Sequence, residues 1–403
     1  MQIKTALRNV FRNRRRTFFS LAVIIVGFAV LVSVLGFVEE GLQSTKVSLA
    51  DESGAVQVAS EGLFEKTSKG YDYLIFPDAL DRVVAEVADM QGVIGVAWQL
   101  NFAGLVGDEA GSSLIIGRGM VPCSNVQAYE CIVTAGDPLQ EASDREVTLG
   151  RTLARKLGVG PGDRINIATG TVSGNFNAAT VTVSGEITYA FEELEAQLGL
   201  FPISFVQRLL KTDGVERILI GLEDLDEADA FAAALQERLT QAGLPLVTRT
   251  WEELNSSYES IASFYGAFSG LAMMGIAVLV FFSVLEVLTI SFLERSREIG
   301  TLRAFGTPRG RIFRSFLLEA VFLGIIGAIL GSVISVALVL IFNWVGFTWT
   351  PPGAAIPQSI QLRLSFSVVA MPVLTVLFST LLSALFPSWR NSRIEIVKAL
   401  HSV

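Results

Sequence analysis

Side chains suited to covalent or acid–base chemistry are scarce in this chain. It has one histidine, His401, so a Ser–His–Asp triad, a His-rich metal site and H-E-x-x-H chemistry all lack their parts. Neither a G-x-S-x-G elbow nor a G-x-x-x-x-G-K-S/T phosphate loop occurs. The expectation is a non-enzyme that binds no metal or cofactor itself. What the spacing does offer is recognition. The run Arg297-Glu298-Ile299-Gly300-Thr301-Leu302-Arg303-Ala304-Phe305-Gly306 is basic and amphipathic. Ile299, Leu302 and Phe305 stand three apart, so they can share a face that enters a partner's groove, with Arg297 and Arg303 pairing with acids beside it. A basic turn that only anchors a membrane edge has the same composition, which leaves both readings open.

Long apolar runs flank this segment. Four of them, 17–38, 261–293, 313–345 and 364–386, reach the roughly 20 residues a bilayer crossing needs. The first is too long for a signal peptide and lacks a small-residue cleavage site. Basic residues crowd 1–16 (Lys4, Arg8, Arg12, Arg14, Arg15, Arg16) and 294–312 with Arg314 just beyond, then recur in 387–403, whereas the loop 346–363 holds only Arg363. The positive-inside rule then puts both termini and 294–312 in the cytoplasm and 39–260 outside. Charge agrees: residues 39–259 carry a net −19 and the remainder +11. Ile3, Leu7, Val10 and Phe11 recur at helical spacing, as in an amphipathic helix lying on the inner leaflet.

Two acids interrupt the apolar runs. A charge at bilayer depth costs at least a few kcal/mol, so Glu286 must face protein or water or be protonated. Interface packing, a protonation or lipid-contact role, and a place nearer the cytoplasmic edge all remain open for it. Glu319 lies two to three turns into its helix, near the expected inner headgroups. Gly266 with Gly270, and Gly327 with Gly331, match the G-x-x-x-G spacing that lets helices approach closely.

The roughly 220 residues of 39–260 read as an α+β domain with a mixed sheet. Strands are expected at 55–60, 93–100, 113–116, 164–168 and 179–187, and helices at 77–90 and 146–157. Residues 217–222, 226–242 and 245–248 read as a βαβ unit. The stretch 191–201 is either an exposed lip or an amphipathic surface helix. Residues 251–260 look helix-compatible and lead into the second span without Pro or Gly. Cys123 and Cys131 fall in this outer part, where an oxidising compartment permits a disulfide; a bridge and two buried thiols stay equally open.

Residues 293–306 closely resemble the cytoplasmic coupling motif of MacB/FtsX-like ABC transporter permeases. Glu319 with Gly324, Gly327 and Gly331 is similar to the family's third span, and 386–390 and 396–400 to its tail. In the outer part, 54–58, 149–154 and 157–163 also resemble the family. The early Gly-Ala-Val-Gln-Val and the missing ATPase domain are most similar to Lol-type lipoprotein-releasing permeases. A departure is Glu286, where family members often carry a small polar residue such as Asn. The resemblance implies an all-α membrane part of four transmembrane helices, with a large extracytoplasmic α+β domain between the first and second. It implies a bacterial inner-membrane dimer, with a second copy or a paralogue, driven by two cytoplasmic ATPase subunits that carry the ATP and Mg. The coupling residues then map onto Arg297, Glu298, Ile299, Gly300, Leu302, Arg303, Phe305 and Gly306. Lipoprotein or lipid-linked cargo, membrane lipids and a periplasmic chaperone or adaptor are the implied partners, and nucleic acid is not. MacB-type efflux with an adaptor, and FtsX-like regulation of a cell-wall hydrolase, are the alternatives.

Overall fold

The apolar runs become four helices long and apolar enough to cross a membrane in the computed structural model. It describes residues 14–65, 71–107, 111–122, 124–126, 133–140, 145–189, 192–349 and 358–392. Residues 1–13 of the expected interfacial helix, both cysteines and the tail beyond 392 lie outside the described residues. In chain order the main elements begin with α1 (Arg14–Ser53), β1 (Val56–Ala59), α2 (Pro77–Ala88), β2 (Val93–Gly107) and β3 (Ser112–Met120). Next come β4 (Ala135–Gly136), β5 (Glu146–Gly150), α3 (Arg151–Leu157), β6 (Arg164–Gly170), β7 (Phe176–Ile187) and β8 (Leu198–Pro202). The remainder are α4 (Ile203–Leu210), β9 (Arg217–Leu222), α5 (Ala228–Gln241), β10 (Val247–Thr250), α6 (Ser256–Ala304), α7 (Arg309–Val345) and α8 (Phe366–Ser392). They fall into two units, one drawn from Met1–Gln43, Ile261–Thr348 and Ser359–Val403, the other from Ser44–Ser260 and Trp349–Gln358.

In the helical unit, Ile24, Phe28 and Val32 of α1 meet Val280, Val284 and Leu288 of α6 and Ala320, Leu323 and Ala328 of α7. Each set recurs at spacings of three to five, which keeps one stripe of each helix inward. Glycines allow the close contacts: a Cβ on Gly327 would sit 2.6 Å from Ile24, and one on Gly331 2.8 Å from Phe28. The helices outrun the apolar runs. The 49 residues of α6 span about 73 Å at ~1.5 Å per residue, more than twice a ~30 Å hydrocarbon core. Nothing polar in 39–53 breaks a helix, so α1 continues until Gly54, whose φ of +74 suits glycine.

The other unit holds a ten-stranded sheet, ordered β10-β1-β9-β2-β3-β8-β5-β7-β4, with β6 bonded to both β2 and β7. That extra strand closes a ring of β2, β3, β8, β5, β7 and β6. The 15-residue β2 makes this possible: its first half pairs with β9, its second with β3 on one side and β6 on the other. Leu100, Phe102, Ile115, Leu149, Ile167 and Val181 fill the ring together with Leu153 of α3 and Phe205 and Leu209 of α4. A second core lies where β1 and β9 meet Val83 and Val87 of α2 and Leu235 and Leu239 of α5. The end strand β10 is blocked by Gln236, which accepts from the Thr248 N–H at 2.8 Å and donates to the Leu246 carbonyl at 3.1 Å. An edge satisfied by its own side chain does not invite another strand. Tyr73 packs against the ring core; burial first, then the Glu216 carboxylate, pushes its hydroxyl up to about 12.

Several expectations change. The helix expected at 146–157 is a strand and then a helix, because 146–150 is buried between β7 and β8. Strands β9 and β10 are not neighbours: β1 lies between them, antiparallel to both. The stretch expected as a lip or surface helix at 191–201 is a surface helix only in part: Glu192–Glu195 form one short helical turn with Glu192 and Glu193 exposed, and a buried strand follows. Glu195 is 1% exposed and β8 is wholly buried. Its carboxylate accepts from the Thr152 N–H at 2.9 Å, the Thr152 hydroxyl at 2.7 Å and the Tyr189 N–H at 2.7 Å, so it caps α3 from a distance in sequence. Before α6 the chain breaks at Asn255, whose amide donates to the carbonyl of the buried Trp251 at 2.7 Å.

Candidate coupling site

The basic amphipathic segment is not a separate helix. It is the last two turns of α6, which runs unbroken to Ala304 before Gly306 reverses the chain. Gly306 has φ +86; its N–H donates to the Arg303 carbonyl at 3.0 Å, and the Thr307 N–H donates to the Leu302 carbonyl at 3.1 Å. These two bonds satisfy the helix's last carbonyls through a left-handed glycine. Pro308 stands just ahead of α7 with φ −68, where a missing N–H does no harm. A tight helix–turn–helix results from local chemistry alone.

Below the turn the two helices are clamped. Ile299 is 6% exposed and packs on Ile312 and Phe316 of α7. Arg295 Nη1 lies 3.3 Å from Glu319 Oε2, Nε lies 3.5 Å from Glu298 Oε2, and the guanidinium sits 5.8 Å from the centre of the Phe316 ring. The Glu319 side chain is nearly enclosed. Glu319 is thus the partner of an arginine that the sequence assigned no role, and a shared helix face two to three turns from the turn was the signal available for it.

At the tip the picture reverses. Leu302 is 51% exposed and Phe305 91% exposed, with Arg297 and Glu298 also exposed and Arg303 half-buried. Ile299 therefore does not share their face. Three residues turn a helix by about 300°, so each step drifts by roughly 60° and Ile299 ends about 120° around the helix from Phe305. Gly300 is buried beside Ile299. The tip can dock an apolar pair into a groove, with charges around it. Among the described residues no three His, Cys, Asp or Glu side chains form a metal-holding cluster.

The remaining candidates separate. Gly327 and Gly331 contact α1 within the chain, whereas a Cβ on Gly266 or Gly270 would meet no heavy atom within 4 Å. Glu286 is exposed on α6 and, among the described residues, makes no hydrogen bond or ion pair.

A model of the FtsX-like permease C-terminal domain matches residues 270–396, and a model of the MacB-like periplasmic core domain matches residues 17–238. The lipoprotein-releasing system transmembrane protein LolC of Xylella fastidiosa (strain Temecula1) is 24% identical over 98% of this chain and 96% of its own length. The macrolide export ATP-binding/permease protein MacB of Chromobacterium violaceum is 23% identical over 98% of this chain and 60% of its own length. The periplasmic region of MacB from Actinobacillus actinomycetemcomitans aligns with a TM-score of 0.40 at 13% identity, over 52% of this chain and 95% of that one. With one family model covering more than half of its residues and the other covering most of the rest, the chain belongs to the MacB/FtsX-like family and is a membrane-embedded ABC-transporter permease of the LolC, MacB and FtsX type.

Proposed function

We propose that this permease couples a separate cytoplasmic ATPase, docked on the turn at 302–306, to the release of lipoproteins or other lipid-linked cargo from the outer face of a bacterial inner membrane. The observation that carries the coupling role is a bare apolar pair, Leu302 and Phe305, on a turn whose base is clamped by Ile299 and the Arg295–Glu319 pair. A tip that is exposed yet held at its root moves both helices when it is pushed. In this reading ATP and Mg are bound by the ATPase, both termini are cytoplasmic, and the sheet-bearing domain, between the first and second spans, faces the periplasm. A second copy or paralogue packs along α6, where Phe264, Phe268, Leu271, Val278 and Phe282 form an exposed stripe at steps of three, four and seven residues.

The cargo assignment rests on end-to-end likeness to a protein named for lipoprotein release. Likeness to a macrolide exporter over the same 98% of the chain favours adaptor-assisted efflux as the second reading. The test has two parts. Phe305→Asp should abolish co-purification of the ATPase while the chain still inserts; undiminished recovery overturns the coupling site. Photo-crosslinkers placed on the sheet-bearing domain should capture lipoprotein or its chaperone. Capture of an efflux adaptor favours the second reading, and capture of a hydrolase supports a regulatory role instead.

A further inference from the structure

Between the first turns of α1 and the second half of α6 lies a groove of about 430 Å³, lined by Phe19, Ser20, Val23, Ser283, Glu286 and Ile290 among others. Most of the lining is aliphatic or aromatic, and Glu286 is the one ionisable group in it. Among the described residues Glu286 has no hydrogen-bond or ion-pair partner. An unpaired carboxylate in a spanning helix is costly, and a cationic group is the partner that suits it. Arg295 is committed to Glu319 and Glu298, about 13 Å further along α6 at ~1.5 Å per residue. Among the described residues, nothing therefore neutralises Glu286.

We propose that this groove binds an inner-leaflet glycerophospholipid bearing a primary ammonium, with the ammonium at Glu286 and an acyl chain along Phe19, Val23 and Ile290. The apolar lining selects an amphiphile, and the carboxylate selects its cationic headgroup; an ammonium offers three donors to one carboxylate and two hydroxyls. The leaflet, though not the lipid chemistry, rests on the topology proposed above.

Native mass spectrometry of the full-length chain, titrated with dioleoylphosphatidylethanolamine or dioleoylphosphatidylglycerol, tests this. The ethanolamine lipid should be retained preferentially, and Glu286→Gln should remove about tenfold of its affinity while sparing the glycerol lipid. Val23→Trp should fill the groove and exclude the lipid with Glu286 intact. Equal retention of both lipids, or unchanged retention in Glu286→Gln, overturns the proposal. So does efficient disulfide capture of two chains through Glu286→Cys, since a second copy would then cover the groove. Failure of the topology reads out separately, as labelling of Phe305→Cys from the periplasmic side with lipid retention unaffected.

Discussion

Glu319→Gln isolates the ion pair that ties α6 to α7. At 3.3 Å and an effective dielectric near 20, the gross attraction to Arg295 is about 5 kcal/mol. Desolvation offsets much of that in the intact pair, yet removing one partner alone strands the other and typically costs ~3–5 kcal/mol. Arg295 keeps Glu298 at 3.5 Å, a half-exposed acid on the same helix, which softens the loss. The expected destabilisation is about 2–3 kcal/mol, or a fall of roughly 5–10 °C in the melting of the helical unit. Trp344 and Trp389 both belong to that unit and report it by fluorescence in the purified full-length chain. Arg295→Leu alone should cost a similar amount by stranding Glu319. The double change Arg295→Leu with Glu319→Leu should recover much of the loss, because an apolar pair of similar volume needs no desolvation. Coupling of about 1.5 kcal/mol or more in this cycle supports the clamp, whereas single changes that add within ~0.5 kcal/mol refute it. The same variants should uncouple ATP hydrolysis from cargo release in the assembled complex without dissociating it.

Four further outcomes follow from the packing. Ile299→Ala should cost about 2–4 kcal/mol in stability and Leu302→Ala less than ~0.5, a contrast read by thermal melting that equal effects would contradict. Gly327→Val should disrupt the helical unit through a clash with Ile24, while Gly266→Val should leave its melting unchanged; dimer loss in the latter, measured by light scattering, would place that open face at a copy–copy contact. Glu195→Ala should loosen α3 and β8 by about 2–4 kcal/mol, seen as faster amide exchange at Thr152 and Tyr189, because it strands buried N–H groups. Tyr73, with its hydroxyl raised to about 12, contributes stability that is complete below pH 10 and is lost as pH rises through 12. Tyr73→Phe should flatten the alkaline limb of a urea-unfolding series.

What the sequence made legible was whatever depends on near neighbours. Four spans follow from apolar length, and the turn after α6 follows from Gly306 and Pro308, whose backbone preferences are local. Closure of the ring was hidden because it depends on β6 meeting β2 some sixty residues away, a pairing that no periodicity encodes. Glu195 looked like a surface acid for the same reason: its partners Thr152 and Tyr189 come together only once β8 is buried. Ile299 was misplaced for a different reason. Three-residue spacing was treated as one face, although over six residues the drift carries a side chain from tip to core. Arg295 counted only as one of the clustered basic residues that set the topology, and only its distance from Glu319 reveals a structural partner.

Under the proposed function, the shape of α6 itself limits how a push can travel. It has no proline over 49 residues, so a displacement at its tip is not absorbed by a kink. The clamp at 295–299 makes α7 follow, since Arg295 and Ile299, one turn apart on the same face, both grip it. Yet α6 is held along only one stripe, Val280, Val284 and Leu288, while Phe264, Phe268, Leu271, Val278 and Phe282 face outward. A helix packed on one side can shift against its own bundle by repacking small contacts such as Gly27 against Ile276, 3.1 Å from an added Cβ. The outward stripe then supplies what the bundle lacks, a second surface that registers the shift. An ATPase stroke applied to an isolated chain would dissipate in that unsupported face, which is the physical reason the coupled machine needs a neighbour along α6.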